Sequence, residues 1–315
     1  MLCYKTDLGE AYYGDSLKLI DTLEDNSIDL VMTSPPFGLL REKDYGNVSQ
    51  EQYVDWLCQF GEKIFPKLKD SGSFVMDLGG AFTKGEPSYN LYQFRVLIKF
   101  CDDIGYKLAQ PFYWFNTSAL PAPIEWVNKK KIRAKSAVNT VWWFIKNADC
   151  KADVTKVLTP YSDRMKQLLK TPDNFFKEGA ERPSGHTHTA SWVKDNGGAI
   201  PSNLLQISNS ESNSQYLRAC KAAGLKAHSA RYPAKLVEFF INFLTDEGDT
   251  VLDIFGGSNT TGAVCEQLGR KWKCFEIKKE YVAQSSFRFI KNIERAKEVY
   301  NYIMNLNGSD NVPKF

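Results

Sequence analysis

Apolar residues recur along most of the chain at spacings that alternate between helical and strand-like, and that alternation predicts an α/β fold. Leu17, Ile20 and Leu23 share one helical face over residues 16–23, and residues 27–33 (SIDLVMT) follow as a short apolar strand. Tyr53, Trp56, Leu57, Phe60, Ile64 and Leu68 form the stripe of an amphipathic helix over 50–68. After the turn signal Asp70-Ser71-Gly72, residues 73–78 read as a second buried strand ending at Gly79-Gly80. Aromatic and β-branched runs predict strands at 107–115 and 137–146; Pro111 lacks an N–H, so the first should be an edge or carry a bulge. The C-terminal part predicts a helix at 233–244, a strand at 250–255, a helix at 259–268, a strand at 273–277 and one long final helix at 280–295.

Between 148 and 226 the periodicity fades, and Pro160, Pro172, Pro183 and Pro201 punctuate polar sequence. Regular α/β patterning resumes afterwards, so this stretch reads as a loop-rich insertion rather than a tail. The expected organisation is one doubly wound, mostly parallel sheet assembled from residues 1–148 and 227–315, with 149–226 inserted between them.

With 43% hydrophobic and 24% charged residues in 315, the composition excludes disordered, collagen-like and coiled-coil classes. No apolar run reaches the roughly 18 residues of a membrane span, and MLCYKTDLGE lacks the look of a signal peptide. Seven scattered cysteines without a C-x-x-C pair suit reduced thiols in a cytoplasm and speak against a disulfide scaffold or structural zinc. The net charge is only +3, but Lys129 to Arg182 holds thirteen Lys and Arg against six Asp and Glu. Concentrated positive charge of this kind suits a nucleic-acid face; a solvated basic loop is the plainer reading.

Two motifs carry chemistry. In Asp253-Ile254-Phe255-Gly256-Gly257-Ser258-Asn259-Thr260 a strand runs into a glycine turn and a helix, where backbone can approach a cofactor closely. Glu276, at the end of the next strand, is placed to grip two ribose hydroxyls. Neither G-x-G-x-x-G nor G-K-[ST] occurs, which leaves a nucleoside without pyrophosphate. The second motif, Thr33-Ser34-Pro35-Pro36-Phe37, follows the 27–33 strand. Its prolines stiffen a loop rich in carbonyl acceptors. The Ser34 hydroxyl and the Pro35 carbonyl can both accept from one exocyclic amino group, and Phe37 can stack on the ring that bears it. A proline turn or polyproline ligand is the alternative for this motif alone.

Together these residues resemble the S-adenosylmethionine-dependent amino-DNA methyltransferases, with catalytic motif [D/N/S]-P-P-[Y/F] and cofactor motif F-x-G-x-G. The order of TSPPF, basic insert and DIFGGSNTTG is that of the family's β group, and Ser34 with Phe37 looks like its cytosine-N4 branch. The resemblance implies a Rossmann-like methyltransferase fold, with 149–226 as target-recognition region. Its expected site comprises Ser34, Pro35, Pro36 and Phe37 for catalysis, and Asp15, Asp253, Phe255, Gly256, Gly257, Ser258, Asn259, Thr260 and Glu276 for S-adenosylmethionine. Asp15 matches the adenine-contacting acid, Asp253 positions the turn, and 231–235 (RYPAK) matches the segment leading into the helix before the cofactor strand. Asn259 stands where many members have glycine and should narrow the turn slightly. The implied partner is double-stranded DNA, with a cognate restriction endonuclease acting separately.

No Pro-Cys pair exists to serve as a carbon-5 nucleophile, so transfer should be direct and in line onto an extruded base. Aromatics of 111–115 or 142–144 can supply the other wall of the base pocket, although core packing is the plainer reading for most of them. Lys129, Lys130, Lys131 and Arg133 read as phosphate contacts or a plain basic hairpin. His186 and His188 lack further ligands for a metal and read as loop or DNA contacts within a base-reading stretch, 184–213. The rival activities are adenine-N6 methylation on the same architecture, methylation of RNA or a protein amide, and DNA binding without catalysis.

Overall fold

β-Strands from the two ends of the sequence lie side by side at the centre of one sheet. The computed structural model describes residues 1–38, 49, 51–171, 194–211, 213–308 and 311–315. Its elements begin with β1 (Leu2–Lys5), β2 (Gly9–Tyr13), α1 (Ser16–Ile20), β3 (Ile28–Thr33) and α2 (Tyr53–Ile64). Next come β4 (Leu68–Leu78), a small hairpin of β5 (Ala81–Phe82) and β6 (Tyr89–Asn90), α3 (Tyr92–Lys99), β7 (Lys107–Phe115), β8 (Val138–Ile145) and α4 (Asp163–Lys170). The C-terminal part supplies β9 (Leu204–Gln206), α5 (Gln215–Ala222), α6 (Ala234–Leu244), β10 (Thr250–Asp253), α7 (Thr260–Leu268), β11 (Lys271–Glu276), α8 (Lys279–Ser285) and α9 (Ile293–Asn305).

The sheet order is β1-β2-β11-β10-β3-β4-β8-β7-β9, with β2, β11, β10, β3 and β4 mutually parallel and β1, β8 and β7 introducing antiparallel pairs. From the central β10–β3 pair the chain steps outward to β11 on one side and to β4 on the other. That reversal leaves a crevice at the carboxyl ends of these two strands, where an open α/β sheet binds its ligand. β3 is buried at every position, which is why its sequence is apolar through Leu30–Met32 and at Ile28. Its one acid, Asp29, pairs with Lys69 and accepts the Thr250 N–H.

Several predicted boundaries move. The 50–68 helix stops at Ile64, because Pro66 has no N–H to continue it, and Leu68 opens β4 instead. Asp70-Ser71-Gly72 survives as a bulge inside β4, between the Ile28–Leu68 and Leu30–Ser73 pairs. β7 has a register shift between Leu108 and Gln110, and β9 covers only Tyr113–Phe115, so Pro111 lies beyond that ladder. The single helix expected at 280–295 is two: Ser285 and Ser286 bond back to the Val282 and Ala283 carbonyls, and Asn292 caps α9 through Arg295 N–H at 3.0 Å. β1 and β2 had no sequence expectation; Glu10 bridges Lys5 and Lys273 on their polar side, leaving too short an apolar pattern to read.

By contacts the chain forms two units, Met1–Ala152 with Asn203–Phe315, and Asp153–Ser202. The second is narrower than the insertion expected at 149–226. Residues 203–226 side with the sheet, because β9 adds to β7 and Tyr216 buries its ring, its hydroxyl donating to Gln284 at 3.2 Å. In the smaller unit Ser162 caps α4, and Thr159 bridges to Ala199. Among the described residues no helix is long and apolar enough to cross a membrane.

Candidate active site

Both motifs end at the crevice. Thr33, last in β3, donates its hydroxyl at 2.7 Å to Asp253, last in β10. The same carboxylate accepts from Phe255 N–H, Tyr232 hydroxyl and Thr261 hydroxyl at 3.1, 3.0 and 2.6 Å. Burial pushes its pKa up, and these donors oppose the shift. Asp253 is therefore a strut between the two halves of the sheet, set behind the cavity rather than on its wall.

The cavity encloses about 530 Å³, within the roughly 300–1,000 Å³ typical of small-molecule sites. Ser34, Pro35, Pro36 and Phe37 line it together with Asp15, Phe255, Gly256, Gly257, Ser258 and Glu276. A Cβ on Gly256 would stand 2.0 Å from the buried Cys274 Sγ, and Gly257 has φ +50°. Glycine is needed at both, and the backbone is bared to the cavity. Glu276 accepts Gly257 N–H at 2.9 Å and Lys278 N–H at 2.8 Å; burial lifts its pKa and these bonds lower it. Asp15 caps α1 through Leu17 N–H at 3.0 Å. This glycine cradle and its fixed carboxylate fit a nucleoside-bearing cofactor.

Asn259 and Thr260, expected at the cofactor, do not line the cavity. Asn259 adopts φ 52°, a left-handed conformation that Asn tolerates. Its Oδ1 accepts Gly262 N–H at 2.9 Å to cap α7, and its Nδ2 donates to Tyr4 hydroxyl at 3.0 Å. Its side chain thus enters the core without narrowing the turn. Thr260 Oγ1 accepts from Arg288, which also holds the Ser258 carbonyl at 2.6 Å.

On the catalytic side, the Pro36 carbonyl accepts the Tyr53 hydroxyl at 2.6 Å. The Phe37 ring lies so close to Gly79 that a Cβ there would be 2.4 Å away. Ser34 donates its hydroxyl to Asp77 Oδ2 at 3.0 Å, and Asn139 Nδ2 donates to Asp77 Oδ1 at 3.1 Å. A hydrogen-bonded line therefore crosses from the end of β3 through β4 to β8. Burial raises the Asp77 pKa to about 7, against the lowering effect of these two bonds.

Trp56 and Phe60 of α2 also wall the cavity, with ring centroids 5.6 and 4.8 Å from Phe255. The aromatics of 111–115 and 142–144 do not line the cavity, and most take the core reading: Phe112 packs on Phe239, Phe240 and Phe243, and Trp143 packs on Phe243. Asp77, Asn139, Trp56, Phe60 and His228, which also lines the cavity, carry no sequence expectation as site residues. Asp77 had a readable signal, one acid at the carboxyl end of an otherwise buried strand (SFVMDL).

Of the basic candidates, Lys129 and Lys130 share Glu125 at 3.0 and 3.9 Å, and Lys131 sits at φ 55°. Arg133 stacks over Phe82 at 4.2 Å. His186 and His188 lie outside the described residues. Among those described, no group of three or more His, Cys, Asp or Glu is arranged to hold a metal.

The profile of a family described as DNA methylase matches residues 28–287. Type II methyltransferase M.PvuII of Proteus hauseri is 59% identical over 305 residues, covering 96% of this chain and 90% of that one. A solved PvuII DNA methyltransferase, described as cytosine-N4-specific, superposes with TM-score 0.79 at 51% identity over 99% of this chain and 96% of that chain. A putative DNA modification methylase of Thermus thermophilus, solved with S-adenosyl-L-methionine, shares the fold (TM-score 0.55, 14% identity, 99% of this chain and 98% of that chain). A profile match over most of the length, a relative alike in well over half its positions and a cavity that unites both motifs converge: this chain belongs to the DNA methylase family.

Proposed function

We propose that this chain transfers a methyl group from S-adenosylmethionine to the N4 amino group of cytosine in double-stranded DNA. It is the modification half of a type II restriction–modification pair in a prokaryotic cytoplasm, its cognate endonuclease acting separately. The observation that carries the chemistry is the Ser34–Asp77 hydrogen bond at the wall of the cavity shared with Gly256, Gly257 and Glu276. Ser34 with Phe37 in the catalytic motif, and the named activity of the PvuII structure, favour cytosine over adenine.

When bound, S-adenosylmethionine supplies a methyl group activated on a sulfonium. Glu276 would hold its ribose, Asp15 its adenine, and Phe255, Trp56 and Phe60 the apolar surface around them. Because Ser34 donates its proton to Asp77, the lone pairs of its oxygen are left to accept an amino N–H from the base. The Pro35 carbonyl takes the second N–H. Two fixed acceptors orient the nitrogen lone pair, and alignment of this kind supplies much of the acceleration. As the surplus N–H bond breaks, the proton passes to Ser34 Oγ and the original Ser34 proton passes to Asp77. At a pKa of about 7, Asp77 is basic enough to take it at neutral pH. The base leaves the duplex to reach the cavity, which costs a few kcal/mol. Lys129, Lys130, Lys131 and Arg133 hold phosphates outside it.

Duplex DNA methylated by the purified chain is digested to nucleosides and separated against standards. N4-methyldeoxycytidine is expected. N6-methyldeoxyadenosine would transfer the assignment to adenine, and unmodified DNA would end the proposal.

A further inference from the structure

Residues 116–137, which join β7 to β8, form a folded loop. Asn116 N–H bonds Ala137 O at 2.8 Å, Ser136 N–H bonds Ala122 O at 2.9 Å, and Ile132 N–H bonds Trp126 O at 3.0 Å. Lys130 lies 4.1 Å above the Trp126 ring, and Arg133 donates to Pro87 O at 2.6 Å, which ties the loop to the β5–β6 hairpin. On this frame Leu120, Ile124 and Ile132 are 80%, 61% and 60% exposed.

A lone exposed aliphatic needs no explanation. Here three share one short loop with Lys129, Lys130, Lys131, Arg133 and Lys135 against a single acid, Glu125. The loop also has a defined place. β8 is antiparallel to β4, so its first residues stand at the carboxyl end of β4, and Asn139 reaches Asp77 there. The loop therefore rises from the same sheet edge as Ser34, two strands away. Exposed aliphatics interspersed with cations in one loop fit a polyanion with an apolar interior, which describes stacked DNA.

We propose that Leu120, Ile124 and Ile132 form an intercalating wedge that enters the base stack beside the extruded cytosine, while the adjoining cations hold the flanking phosphates. The inference rests on the methylation reading of the cavity. Extrusion bares the faces of the neighbouring bases and leaves a gap, and aliphatic side chains cover those faces where water would not. Self-association through this loop would oppose two loops of like charge, so DNA is the occupant the charges favour.

The test is Leu120→Ser/Ile124→Ser and, separately, Ile132→Ser. Circular dichroism and S-adenosylmethionine titration should match the parent. Single-turnover methylation is measured on a matched duplex and on the same duplex with an abasic site opposite the target, where unpairing costs little. The variants should lose about tenfold on the matched duplex and under about twofold on the other. No loss, or equal loss on both duplexes, overturns the wedge, as does a dimer in light scattering that the substitutions dissolve. Lys129→Ala/Lys130→Ala/Lys131→Ala should behave differently, weakening binding to both duplexes alike and flattening its salt dependence. A parent chain that methylates neither duplex refutes the methylation reading itself.

Discussion

Asp77→Asn replaces the carboxylate behind Ser34 with an amide of the same shape. In the parent, burial lifts the Asp77 pKa from 3.8 to about 7, so between these values the folded chain keeps a proton that the unfolded chain has released. A raised folded-state pKa means the stabilisation is complete below about pH 4 and is lost as the pH climbs towards 7. At about 1.4 kcal/mol per pH unit, the parent gives up on the order of 4 kcal/mol over that interval through this one group. The amide does not titrate, so the variant gains on the parent by that amount. Asp253 and Glu276 are also buried carboxylates with raised pKa values, but they are common to both chains and cancel in the difference. Urea unfolding of both chains at intervals from about pH 4 to pH 8 measures it. Turnover supplies the second readout. The parent's single-turnover rate should rise with a midpoint near the Asp77 pKa, and the variant should lose both that midpoint and about 10²–10⁴ in rate, the usual range for a proton acceptor. A parent–variant stability gap that stays constant with pH, or a variant that keeps the midpoint, would refute the assignment.

Ser34→Ala removes the acceptor for the amino N–H and leaves the cofactor cradle untouched. Titration calorimetry should find S-adenosylmethionine affinity within about twofold of the parent, while the rate falls at least about 10²-fold; weaker binding with unchanged turnover per bound cofactor would place Ser34 in the cofactor site instead. Gly256→Ala sets a methyl group against Cys274 Sγ, which is packed and cannot retreat. The turn must then shift towards the cavity, and cofactor affinity should drop at least about tenfold in the same titration. An alanine chain that binds as tightly as the parent would show that the turn has slack.

The parts of the site legible in the sequence are those whose physics is local. Pro35 and Pro36 fix their own backbone, Gly256 and Gly257 permit a close approach, and β3 declares its two buried faces in the apolar run Leu30–Met32. Asn292 and the Ser285-Ser286 pair also act locally, yet the helical period continues across them and concealed the break between α8 and α9. Residues 203–226 were unreadable for another reason: a three-residue strand has no period of its own and exists because β7 offers an open edge.

The decisive arrangement of the site lies beyond any local window. Asp77 is 43 residues from Ser34 and 62 from Asn139, and Asp253 is 220 from Thr33. Strand register alone chooses those partners. Once β3 is flanked by β10 on one side and β4 on the other, Thr33 meets Asp253 and Ser34 meets Asp77, pairings that no spacing along the chain could announce. The residues and their conformational limits are written in order along the backbone. Which acid stands behind which hydroxyl is settled only when distant strands pair, because a hydrogen bond a few ångströms long selects by position in space and not by position in the chain.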